Sequence, residues 1–149
     1  MSISPYLPLI AALTAIVVAQ LIKVPIYLFA NFRFDLKLAV STGGMPSSHS
    51  AAVTALIAGI GIKEGLSSSF FAIAALFGII TMYDAAGIRR HAGMHASLIN
   101  RMSRRMELFQ QQEQEQPWLK EMLGHRPIEV LAGALLGIVI CLLLQLVMS

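Results

Sequence analysis

Four apolar stretches separated by short polar segments organise this chain. Pro5 to Ile22 carries no charge until Lys23, and apolar residues resume from Val24 to Ala30. Ser50 to Ile62 is shorter, Leu66 to Tyr83 is longer, and Val130 to Met148 is the most uniformly apolar. A membrane-crossing helix needs about 20 such residues, so Ser50–Ile62 is short for a full span. Extending it backward through Leu38-Ala39-Val40 meets Gly43, Gly44 and Pro46, which break a helix. Interrupted backbone at membrane depth is tolerated where it lines protein or a water-filled cavity. The pattern predicts an all-α integral membrane bundle of about four spans, residues 1–149 forming one domain, with a broken or re-entrant segment before His49.

Between the third and fourth apolar stretches the pattern changes period. From Ala85 to Phe109, Ile88, Leu98, Ile99, Met102, Met106 and Leu108 recur at roughly helical spacing among arginines, which predicts an amphipathic cytoplasmic helix. Its Arg101, Arg104 and Arg105 suit a solvated basic face against anionic headgroups. The run from Gln110 to Gln116 reads as a polar hinge. Pro117 then opens a short segment through Met122 that Gly124 ends.

Composition agrees with a membrane protein. The chain is 56% hydrophobic and 13% charged, with a mean hydropathy of +0.71, against about 25% charged residues in soluble domains. The first apolar run lacks a basic leader and a small-residue cleavage site, so it reads as a span. The single cysteine, Cys141, lies in an apolar run and reads as packing. A net charge of +3 with one tryptophan makes no case for nucleic acid.

The charges set an orientation. The first loop holds Lys23, Arg33 and Lys37, and the third holds Arg89, Arg90, Arg101, Arg104, Arg105, Lys120 and Arg126, whereas the middle connection has only Lys63 and Glu64. Basic loops face the cytoplasm. Both termini are therefore expected outside, with the segments around His49 and His125 on the cytoplasmic side.

Those two segments carry the candidate chemistry. Gly43-Gly44-Met45-Pro46-Ser47-Ser48-His49-Ser50 places an imidazole where a helix start offers free N–H groups to an anion. Alternatively Ser47 or Ser48 is a cap and His49 merely occupies the first turn. His125 and Glu129 stand four residues apart, on one face if the last helix begins near Pro127. A carboxylate so placed fixes an imidazole's tautomer, though Glu129 at a helix start also complements the dipole. Arg89 and Arg90 suit either paired hydrogen bonds to phosphate or a membrane-end anchor. Lys23 has the same two readings. His91 and His95, also four apart, have metal-ligand spacing but no third ligand nearby and no intervening glutamate of a metalloprotease motif.

Three motifs together resemble a known family. They are Gly43-Gly44-Met45-Pro46-Ser47-Ser48-His49-Ser50-Ala51, then Tyr83-Asp84-Ala85-Ala86-Gly87-Ile88-Arg89-Arg90, then Leu123-Gly124-His125-Arg126-Pro127-Ile128-Glu129-Val130. Their order is similar to that of a divergent branch of the type-2 phosphatidic acid phosphatase superfamily, related to acid phosphatases and vanadium-dependent haloperoxidases. The chain departs from the superfamily pattern in Ser48 for glycine, in Glu129 for aspartate, and in having Pro117-Trp118-Leu119-Lys120 where a Ser-Arg pair is expected shortly before the second histidine.

The resemblance implies a metal-independent membrane phosphatase, without cofactor, acting on a phosphorylated lipid at the cytoplasmic side of a bacterial inner membrane. It makes His125 the nucleophile that forms a phosphohistidine, Glu129 its orienting carboxylate and His49 the general acid. Lys23, Arg89, Arg90, Ser47 and Ser48 would bind phosphate, with Arg33 or Lys37 as possible companions of Lys23. The missing Ser-Arg pair keeps a second expectation open, a non-catalytic protein that binds or carries a phosphorylated headgroup. Four short helices would also suit a homodimer.

Overall fold

The computed structural model describes residues 5–31, 44–105, 118–121 and 123–148. They form five helices, α1 (Leu7–Asn31), α2 (Ser48–Glu64), α3 (Ser69–Ala86), α4 (Ile88–Arg105) and α5 (Pro127–Met148). Three helical stretches, Leu7–Phe29, Ser69–Arg104 and Pro127–Met148, are long and apolar enough to cross a membrane. Within the second the apolar part is α3. The chain is thus a membrane helical bundle, as its apolar pattern predicts, and the 17-residue α2 is the short central helix.

Small residues bring α2 into contact with its neighbours. Along α1, Leu7, Ala11, Ala15 and Ala19 follow one another at four-residue steps and are each at most 1% exposed. This stripe meets Ala51 and Ala55 of α2 and Ile140 and Cys141 of α5 in one core cluster. Cys141 is a free, buried thiol, the packing role expected of it. A Cβ on Gly59 would stand 2.7 Å from Pro8 Cα, and one on Gly137 2.1 Å from Ala51 O. Without side chains at these points, backbones approach closely, the usual device where lipid offers no hydrophobic drive between helices. Thr54 Oγ1 donates across the same contact to Ala134 O at 2.9 Å.

These contacts set directions. Gly59 of α2 meets Pro8 of α1, and Gly78 of α3 meets Ile57 of α2. Both helices therefore run antiparallel to α2. Gly133 and Gly137 of α5 meet Ser47 and Ala51, so α5 runs parallel to it. The C-terminal halves of α1 and α3 and the N-termini of α2 and α5 consequently share one end of the bundle. Lys63 and Glu64, paired at 2.9 Å, sit at the other.

Several boundaries differ from the sequence expectation. Ser47 caps α2, its hydroxyl accepting from Ser50 N at 3.3 Å, so α2 begins two residues before Ser50. Ala85 belongs to α3, and Gly87 separates α3 from the amphipathic α4. Pro127 opens α5, where a residue without an N–H costs no helical bond. Residues 118–121, within the short segment expected from Pro117 to Met122, form a strap without helix whose polar groups bond to α4. Gly44 to Ser47 is non-helical, with a cis Met45–Pro46 bond, in keeping with a broken segment before His49. Arg33, Lys37, Gly43 and the Gln110–Gln116 run lie outside the described residues.

Candidate active site

The shared end of the bundle contains a small cavity of about 100 Å³ lined by His49, Thr81, Ala85, Arg89, Leu123, Gly124 and His125. Three separate sequence motifs contribute to it. His49 comes from the first turn of α2, Arg89 from the first turn of α4, and His125 from the residues before α5.

Backbone contacts hold these segments together. His125 N donates to Ala85 O at 2.9 Å, tying the third motif to the end of α3. Gly124 has φ +77°, and a Cβ there would stand 2.3 Å from Arg90 N. The position thus excludes a side chain twice over, by conformation and by space. Ser47 N donates to Glu129 O at 3.0 Å, which joins the cap of α2 to the first turn of α5. Gly133 makes room for this, since a Cβ on it would lie 2.3 Å from Ser47 O.

His125 is 4% exposed, and its Nδ1 lies 3.2 Å from Glu129 Oε2. The same oxygen accepts from Arg126 N at 3.0 Å. Glu129 therefore does both things the sequence allows, supplying a partner to the imidazole and an acceptor to an otherwise unpaired N–H at a helix start. With Nδ1 engaged as a donor, the His125 tautomer leaves Nε2 as the basic nitrogen. Lys23 is also 4% exposed, continuing the four-residue stripe of α1, and its ammonium is within electrostatic reach of both Glu129 and His49. A buried lysine requires such company, because an isolated buried charge is costly.

His49 keeps an exposed side chain at the cavity rim, outside the three apolar spans. Desolvation by its surroundings pushes the imidazole below its ordinary pKa. The charges of Arg89, His125 and Lys23 push the same way, and Asp84 pulls in the other direction. Asp84 also accepts from Arg89 Nε, which aims the guanidinium. The basic groups Arg89 and Lys23 near His49 are the kind of surroundings that attract an anion.

Not every candidate reaches this cavity. Arg90, the neighbour of Arg89, lines instead an open groove of about 510 Å³ with Arg126, Ser97, Glu121 and Glu129, and His125 borders both spaces. Ser47 is fully buried, its N–H is taken by Glu129 O, and its hydroxyl is taken by Ser50. Neither Ser47 nor Ser48 lines the cavity, and the Ser47 N–H is already engaged by α5. Lys23 does not line the cavity and acts on His49 and Glu129 through its charge. His91 and His95 are exposed on α4, and among the described residues no three His, Cys, Asp or Glu side chains converge as metal ligands. Thr81 and Gly124 are cavity residues that spacing did not single out.

A family model described as the divergent PAP2 family matches residues 6–140. The chain is 49% identical over 146 residues to the uncharacterized membrane protein YuiD of Bacillus subtilis (strain 168), covering 92% of each chain. No solved structure matches it.

Proposed function

This chain belongs to the divergent PAP2 family, a phosphatase-related group of membrane proteins, and on that premise we propose that it hydrolyses a phosphorylated lipid through a phosphohistidine. The observation that carries this reading is the convergence of His49, His125 and Arg89 on one cavity, with His125 backed by Glu129.

In this mechanism Arg89, with Lys23 behind it, neutralises the phosphoryl oxygens. His125 Nε2 attacks phosphorus while the bond from phosphorus to the alcohol oxygen breaks, and His49 gives its proton to that oxygen. The imidazolium formed at His125 is stabilised through Nδ1 by Glu129, as a carboxylate partner does for an imidazole base. Water then attacks the phosphohistidine and passes a proton to His49, which releases phosphate and restores both histidines. Fixed positive groups supply the stabilisation of developing charge that usually dominates catalysis. No step calls for a metal.

The basic residues at the site end, Arg89, Arg90, Arg101, Arg104 and Arg126, favour a cytoplasmic orientation. Both termini would then lie outside, and a bacterial inner membrane is the natural setting. A second reading rests on the turning of Arg90 into the outer groove. With Pro117-Trp118-Leu119-Lys120 in place of the Ser-Arg pair expected shortly before His125, the cavity then binds a phosphorylated headgroup without cleaving it.

Phosphate release from lipid monophosphates and diphosphates by the purified full chain separates the two. Hydrolysis should be blocked by orthovanadate and survive chelators. His49→Ala should lower turnover about 100- to 10,000-fold, as loss of a general acid does, and His125→Ala should leave no acid-labile phosphoprotein. Orthovanadate binding without turnover on any of these lipids would establish the second reading.

A further inference from the structure

The helix that supplies Arg89 has three faces, and one is turned to the protein. Gly93 and Asn100 meet the strap, and Ala96, on the same face, is buried. A Cβ on Gly93 would stand 2.6 Å from Glu121 O. The Asn100 amide donates to Leu119 O at 2.9 Å and to Glu121 Oε1 at 2.8 Å, and its oxygen accepts from Leu119 N at 3.2 Å. A second face carries Arg90, Arg101 and Arg104, the last stacked 4.8 Å from the ring centre of Trp118. On the third, Ile88, Met94, Leu98, Ile99 and Met102 are each between 49% and 65% exposed. His91 and His95 lie on this same face, at the matching helical steps, and both are exposed.

Charge and position identify what covers the third face. The helix contains five arginines and no acidic residue, so the positive balance of the whole chain, +3, resides in it. It begins at Ile88, one residue beyond Gly87, which caps the membrane-crossing α3. An exposed apolar stripe that starts where a span ends lies at the level of the headgroups and the first acyl carbons. Neutral lipid would cover the stripe but leave the arginines without counter-charge. Anionic headgroups satisfy both.

We propose that α4 is a docking helix for an anionic lipid surface, with its Ile88–Met102 stripe in the headgroup–acyl boundary and Arg101 and Arg104 on acidic headgroups beside it. This gives His91 and His95 a place as amphipathic side chains at the interface, ring against lipid and nitrogens toward water. It also makes one wall of the cavity a membrane-bound element. Arg89 belongs to the docked helix, and Asn100 fastens to it the strap that leads through Leu123 to His125. The docking depends on the lipid surface and not on catalysis.

Hydrogen exchange on the full chain, one copy per nanodisc, tests this in phosphatidylcholine and in an equal mixture with phosphatidylglycerol. Amides of residues 88–105 should exchange at least about tenfold more slowly in the anionic discs, since each basic residue near such a surface contributes about a fivefold factor. An R101Q/R104Q variant should lose that difference while α5 exchanges as in the parent, which reports that the fold is intact. Leu98→Asn should speed exchange in both lipids. Equal exchange in the two lipids overturns the proposal, as does slowing that persists in R101Q/R104Q or appears only with two copies per disc, which would assign the stripe to a second copy of this chain.

Discussion

His125 Nδ1 and Glu129 Oε2 lie 3.2 Å apart across one turn at the start of α5, and the same carboxylate oxygen accepts from Arg126 N at 3.0 Å. One side chain therefore closes the helix start and orients the imidazole. Conservative replacement separates these duties. Glu129→Gln keeps an acceptor for Arg126 N but removes the charge, so the fold should survive while phosphoryl transfer slows by about 10- to 100-fold, the worth of a charge-assisted hydrogen bond. Equal thermal unfolding with a reduced rate of phosphohistidine formation is the expected result. Unchanged formation would show that Glu129 serves only the helix start.

Arg89 and Arg90 are adjacent in sequence but face different spaces. Arg89→Ala should weaken orthovanadate binding by about 10- to 100-fold, as loss of a hydrogen bond to a charged group does. Arg90→Ala should change it by less than about threefold. Isothermal titration of the two variants decides this, and equal losses would mean that a single anion reaches both guanidinium groups.

The pH response of His49 follows from its neighbours. Its pKa is pushed below the ordinary 6.5 by desolvation first and then by Arg89, His125 and Lys23. The folded state thus prefers neutral His49, and between 6.5 and the lowered value the unfolded chain binds more protons. This contribution makes stability fall as pH drops below 6.5, and the loss levels off below the folded pKa. Bound orthovanadate adds negative charge and should raise the pKa again. Following the His49 ring C–H resonance through a pH titration, with and without vanadate, should show the bare midpoint below 6.5 and the liganded midpoint above the bare one. A midpoint that vanadate does not move would place the anion away from this ring.

Gly133 underlies the junction between α2 and α5. A Cβ there would meet Ser47 O at 2.3 Å, where Ser47 N also donates to Glu129 O. Gly133→Ala forces the helices apart and should cost about 1–3 kcal/mol, the usual penalty of overpacking, despite alanine's better helix propensity. A lowered unfolding temperature together with weakened vanadate binding is expected. Gly44→Ala makes a useful contrast, since nothing lies within 4 Å of its added Cβ. Its φ of +88° alone should produce the smaller loss.

Much of the molecule was legible in one dimension. Runs of apolar residues have no stable place in water, so their lengths alone specified a helical membrane bundle, and the clustering of arginines placed the His49 and His125 segments at one end. The His125–Glu129 pair was legible too, because four residues of a helix return to the same face whatever the rest of the chain does. Which charges meet is a different kind of fact. Adjacent arginines project about 100° apart on a helix, so Arg89 enters the cavity and Arg90 the groove only because Gly124 rests on the peptide between them. Ser47 looked like a donor to phosphate until α5 took its N–H. Lys23 reaches Glu129 because an alanine stripe lets α1 approach the other helices closely. Local periodicity and hydropathy are carried by neighbouring residues and survive in the sequence. Backbone approach between distant segments depends on what every packed neighbour leaves empty, and that is decided only when the helices assemble.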